Sequence, residues 1–285
     1  MKQLTFIMTV MLSLHLWGCS KSEEEIVYPT HTDLILADIA YGPHEQNKMD
    51  ILLPAGRDAT TTKVLVLIHG GGWIAGDKSD FNSILDTENI EYLKKEFPDM
   101  ALFLLNYRLA LSTDSQYPAA ENDIKAAMDF IYRHAEAYQV NGNAVYLLGG
   151  SAGAHLAALY ALKSPTDRIK GVIGISGPYD LPMLYLDGND ESRNILRTFM
   201  GGTPQEQGFQ YFNASPYNFV HPVPTKFLLL HGRQDKLVPL SQAQKLEAAL
   251  KEEGVEVKTY YYDGEHGIPP QHIGQSIEEI KKFLK

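Results

Sequence analysis

Six continuous apolar, β-branched or aromatic runs constrain the fold of this chain more than any other feature: VLVLI (Val64 to Ile68), MALFLLNY (Met100 to Tyr107), AVYLL (Ala144 to Leu148), GVIGIS (Gly171 to Ser176), KFLLL (Lys226 to Leu230) and VKTYYY (Val257 to Tyr262). Strands with one wet face alternate apolar and polar residues; continuous runs of this kind suit strands covered on both faces. Between several of them lie helical patterns, over Ala119 to Tyr138, Ala152 to Lys163, Ser241 to Glu253 and Ser276 to Leu284. Ser241-x-x-Gln244 predicts a capping box at the start of the third pattern, and Gly254 its stop. Strands alternating with helices predict an α/β fold with a mostly parallel central sheet and helices on both faces. LILADIAYG and NKMDILL, upstream of the first run, predict an antiparallel pair at one edge.

The chain has 285 residues, 44% of them hydrophobic and 21% charged, which suits one globular domain with a sizeable core. A formal net charge of -10 with no Lys/Arg cluster excludes nucleic acid as a partner, because a polyanion would be repelled. The N-terminus differs from the rest: Lys2 precedes a mostly apolar stretch from Leu4 to Gly18, followed by Cys19, the one cysteine. That stretch is short for a membrane span, which needs about 20 apolar residues, and reads as a secretory signal over residues 1–18. LWGC, Leu16 to Cys19, resembles a bacterial lipoprotein lipobox, which implies cleavage before Cys19 and a membrane partner through a lipid on that cysteine, with export to the cell envelope. Residues 19–30, opening with Ser20 to Glu25 (SKSEEE), read as an acidic tether, and residues 31–285 as the folded domain.

In open α/β sheets the ligand crevice forms from loops at the carboxyl ends of the strands. Four such loops carry chemistry: HGGGW after Ile68, GGSAG after Leu148, HGRQDKLVP after Leu230 and DGEHG after Tyr262. Gly149 to Gly153 matches G-x-S-x-G between a strand and a helix, the context of a nucleophile elbow. The turn there strains the serine backbone and leaves no room for a Cβ at 149 or 153, so the small residues serve to expose the Ser151 hydroxyl. A serine hydroxyl is a weak nucleophile until a base takes its proton, and that base needs an acid to orient it. Asp235 and His266 supply acid and base in the chain order Ser, Asp, His. Asp263 and Glu265 lie too near His266 in sequence to approach its far nitrogen easily. His155, four residues past Ser151 on the same helix, reads as packing or as a support behind the site, His231 as a brace of its loop, and His134, His221 and His272 stand outside any motif. Backbone amides of Gly71, Gly72 and Ala152 are the candidate donors to a developing oxyanion. No phosphate-cradling glycine motif follows a strand and no metal-ligand spacing such as H-E-x-x-H occurs, so no cofactor and no metal are expected.

With these motifs in order the chain resembles the α/β-hydrolase superfamily, and within it the esterase/lipase branch with an H-G-G-G motif and its kynurenine formamidase-like and carbohydrate acetyl/feruloyl esterase relatives. LIHGGGWIAGDK, LLGGSAGAHLAAL, ISGPYDL and LLLHGRQDKLVPLSQA carry the resemblance. It implies Ser151 as nucleophile, Asp235 as acid, His266 as base, and oxyanion donors at Gly71 and Gly72, with Trp73 marking the H-G-G-x-W variant of the formamidase-like group. A serine esterase acting on small esters or acylated glycans is the expected activity. Amide hydrolysis is the alternative, and a binding module without turnover a more distant one. Residues 181–223, rich in Tyr, Phe and Met and long for a plain connection, are expected to form a small cap over Ser151. Tyr107 and Arg108 are expected to brace the fold.

Overall fold

The computed structural model describes residues 28–80, 94–164 and 166–285. The expected signal segment, Cys19 and the part of the expected tether up to residue 27 lie outside the described residues. Eight strands form one sheet: β1 (Leu34–Ala40), β2 (Lys48–Leu53), β3 (Lys63–Ile68), β4 (Met100–Leu105), β5 (Val145–Gly150), β6 (Ile169–Ile175), β7 (Lys226–Gly232) and β8 (Val257–Tyr262). Their spatial order is β1-β2-β4-β3-β5-β6-β7-β8. β1 and β2 form the expected antiparallel edge pair, β2 is antiparallel to β4, and every pairing from β4 through β8 is parallel.

Successive side chains of a strand point to opposite faces. Along β3, Val64, Val66 and Ile68 enter one core cluster while Leu65 and Leu67 enter the other, which explains the unbroken apolar run. The first cluster is closed by α1 (Ala119–His134), α2 (Ala152–Lys163) and α6 (Ser241–Glu252), the second by α7 (Pro270–Leu284) together with Phe97. Between β6 and β7 the chain folds into α3 (Leu181–Asp187), α4 (Asp190–Met200), α5 (Gly208–Asn213) and a 3-10 turn over Pro216–Phe219. Asp180 and Asn189 cap α3 and α4 by accepting the amides of Met183 and Ser192, and left-handed Gly201 ends α4.

Two helix boundaries and one helix cap depart from the sequence expectation. α1 stops at His134 and turns continue to Tyr138. α7 begins at Pro270, six residues before Ser276, because proline fits the first helical turn, where its missing N–H costs nothing. The capping box at Ser241 does not form: Leu240 already has helical dihedrals, so Ser241 lies inside the first turn. Gln242 turns inward instead, where its Oε1 accepts the amides of Tyr179 and Asp180 at 2.8 Å each. β8 is an edge strand with mostly half-buried side chains, unlike the doubly covered strands its apolar run predicted.

Candidate active site

β5 ends at Gly150 and α2 starts at Ala152, so Ser151 alone makes the turn between them, at φ 51° and ψ −116°. That conformation is costly for a residue with a Cβ and persists where the surroundings over-determine it. Here they do. A Cβ on Gly149 would overlap the backbone of Gly153, and one on Gly153 would overlap the carbonyl oxygen of Ile68, the last residue of β3. The missing side-chain volume lets α2 rest directly on the strand ends, as the spacing of the two glycines predicts.

The loop after β8 brings His266 Nε2 to 3.0 Å from Ser151 Oγ, and the loop after β7 brings Asp235 Oδ2 to 2.7 Å from His266 Nδ1. Asp235 Oδ1 accepts the amides of Leu237 and Val238 at 3.0 and 2.8 Å. Burial pushes the Asp235 carboxyl up, but hydrogen bonds from His231, His266 and the Val238 amide outweigh it and hold the group well below the usual carboxylate range. An ionised carboxylate only accepts, so Nδ1 of His266 carries the proton and Nε2 presents its lone pair to the serine hydroxyl. The structure therefore brings together Ser151, Asp235 and His266; Asp263, the nearby alternative acid, is solvent-exposed instead.

A carboxyl depressed in the folded state contributes stability that is complete above its unfolded value, about 3.9, and is lost as pH falls from there toward the folded value. The stability difference between wild type and Asp235→Asn, read from urea midpoints, should shrink as pH falls below about pH 4. A difference that stays constant from about pH 5 down to about pH 2 would contradict this assignment.

The loop after β3 turns through Gly71 (φ 92°), Gly72 (φ 61°) and Trp73 (φ 61°), and the amides of Ile74 and Ala75 fold back onto the Gly71 carbonyl at 3.1 and 3.0 Å. Gly71 and Gly72 line the same cleft as Ser151. Ala152 opens α2, so its amide has no carbonyl within the helix. Braces hold this loop from beneath. The Tyr107 hydroxyl donates to the carbonyls of His69 and Gly70 at 3.0 and 3.1 Å, and its ring stacks on His69 with centroids 4.3 Å apart. Trp73 stacks on Phe199 and donates its indole N–H to His155 Nδ1 at 3.2 Å, and His155 Nε2 in turn donates to the Ala214 carbonyl at 2.5 Å. Burial pushes the His155 imidazole down to about 4, so it is neutral in this role. His155 and His231 are braces, as expected; His231 donates to the Val238 carbonyl at 2.8 Å. Arg108 donates through Nε and Nη2 to the two carboxylate oxygens of Asp123.

A cleft of about 620 Å³ opens over Ser151. Its floor is the glycine loop and the ends of β5 and β6; one wall comes from α3 and α4 through Leu184, Glu191, Ser192, Ile195 and Leu196. Most of the remaining lining is aliphatic. Among the described residues no group of three or more His, Cys, Asp or Glu side chains is placed to hold a metal ion. Sequence reasoning missed Ser176, at the end of β6, which lines this cleft at φ 51°. A serine directly after an apolar run and before Gly177 was the available signal.

A parallel sheet crossed at its carboxyl edge by a serine turn, an acid loop and a histidine loop defines an α/β-hydrolase fold. Solved structures agree: a truncated carbohydrate esterase from gut microbiota superimposes with a TM-score of 0.73 at 18% identity, covering 90% of this chain and 99% of that one. The Est2 esterase of Thermogutta terrifontis superimposes with a TM-score of 0.68 at 20% identity, covering 88% and 93%. The BD-FAE family model matches residues 49–250, and the chain belongs to that family. Curated relatives include an isoprenylcysteine alpha-carbonyl methylesterase of Arabidopsis thaliana, 28% identical over 79% of this chain and 55% of its own length. A probable carboxylic ester hydrolase, LipM, of Mycobacterium tuberculosis is 29% identical over 73% of this chain and 49% of its own length. The chain thus spans about half the length of the curated relatives it matches.

Proposed function

We propose that the protein hydrolyses carboxylic esters by a serine mechanism. Ser151 Oγ attacks the ester carbonyl carbon while His266 Nε2 takes its proton; the tetrahedral oxyanion is held by amides of Gly71, Gly72 and Ala152; His266 returns the proton to the departing alkoxide. Water, deprotonated by the same imidazole, then attacks the acyl-serine and releases the carboxylic acid and the free enzyme. Asp235 keeps Nδ1 protonated and stabilises the imidazolium. The observation that carries this reading is the continuous hydrogen-bonded line from Ser151 through His266 to Asp235, at 3.0 and 2.7 Å, on the floor of an open cleft. Membership of a family whose relatives are named as esterases supports the same bond type.

We read α3 and α4 as a small cap that shapes the acyl side of the cleft. Acetyl or feruloyl esters on polysaccharide are the proposed natural substrates; that choice rests on the resemblance to carbohydrate esterases and on the anchor read from the sequence. A panel of short p-nitrophenyl esters, methyl ferulate, acetylated xylan and an acyl anilide tests it. Turnover of the esters well above the anilide, with release of acetate or ferulate, is the expected pattern. Preferential cleavage of the anilide would replace the ester reading, and inertness toward acetylated xylan and methyl ferulate would remove the glycan one.

A further inference from the structure

We propose that the carboxyl end of β6 and the residue after it, Ile175 and Ser176, set the distance between Ser151 and His266, and that Ser176 is a positioning residue for the reaction; the proposal rests on the serine-hydrolase reading above. Ser151 and His266 lie 115 positions apart and meet through a single hydrogen bond. Something other than that bond must hold the gap, because a displacement of about 1 Å at a reacting pair costs on the order of a hundredfold in rate. The end of β6 touches both partners. Ile175 accepts the Ser151 amide at 2.7 Å, and the next residue, Ser176, accepts the amide of Gly267, the neighbour of His266, at 3.2 Å.

The histidine loop is stapled on either side of the imidazole. Before it, Gly264 donates its amide to Gln234 Oε1 at 2.6 Å and accepts the Gln234 amide at 2.9 Å, which ties the loop to the segment carrying Asp235. After it, Gly267 is gripped at both backbone groups: Ser176 Oγ takes its N–H and the Tyr262 hydroxyl donates to its carbonyl at 2.8 Å. Gln234 therefore registers the base to the acid, and Ser176 registers it to the nucleophile. Ser176 is buried and sits at φ 51°, its own amide donating to Leu230 on β7 at 2.8 Å. Glycine adopts such a backbone at lower cost. A serine in that conformation, with its hydroxyl engaged by the histidine loop, marks a site where geometry is held at the expense of backbone strain.

The test compares Ser176→Gly and Ser176→Ala with wild type on p-nitrophenyl acetate, with kcat expressed per active site counted by a fluorophosphonate. Both variants should lose about tenfold to a hundredfold in kcat with KM within about twofold, while Ser176→Gly, in which relief of backbone strain offsets the lost Gly267 hydrogen bond and the freer unfolded chain, melts within about 5 °C of wild type. A purely structural serine would not separate these readouts. The proposal is overturned if kcat per active site stays within about twofold of wild type in both variants. It is equally overturned if Ser176→Gly loses rate only together with melting temperature. Full activity in Ser151→Ala is a separate result, which would sink the hydrolase reading itself rather than the role of Ser176.

Discussion

Ser151→Ala is expected to lower kcat on an activated ester by on the order of 10⁴-fold or more, the scale seen when the nucleophile of a cooperating serine, histidine and aspartate is deleted. Labelling by a fluorophosphonate should vanish with it. Alanine keeps the Cβ and therefore the strained backbone at φ 51°, so the fold and melting temperature should be close to wild type. The loss can then be assigned to the hydroxyl alone. Residual labelling at wild-type stoichiometry would show that another side chain reacts and would overturn the mechanism.

Gly153→Ala is expected to cost more than about 4 kcal/mol, a large part of the 5–15 kcal/mol that holds a domain together. The added methyl would overlap the carbonyl of Ile68 and crowd that of His69. The Ile68 carbonyl cannot retreat, because Ile68 is paired with Leu105 of β4 on one side and Gly149 of β5 on the other, in the middle of the sheet. Gly208→Ala is the control: nothing lies within 4 Å of the position its Cβ would take, so its effect should stay within about 1 kcal/mol. Chemical denaturation of the two variants measures the contrast. Equal midpoints would show that α2 can shift away from β3, and the close helix-to-strand contact would then be no part of what exposes Ser151.

Much of this architecture is written in local pattern. The doubly buried strands β3 to β7 announce themselves because both faces of each must be apolar, and α2 because its small residues pack between the sheet and α1. The G-x-S-x-G turn is legible since a backbone conformation that excludes Cβ atoms leaves glycines as its trace. Helix ends were less legible. Whether Ser241 caps its helix depends on the dihedrals of Leu240, and the first turn is also engaged through Gln242 by Tyr179 and Asp180, more than 60 positions away.

What the sequence determined by itself is the order of strands and helices and the residue types offered at each carboxyl-edge loop, because both depend on neighbours within a few positions. Only the tertiary structure decided which groups meet. The 2.7 Å approach of Asp235 to His266, the partnership of Trp73 with His155, and the grip of Ser176 on Gly267 each join segments separated by 31, 82 and 91 positions. Contacts of that range are set by sheet order and by strain shared across several loops, and no local pattern of residues encodes them.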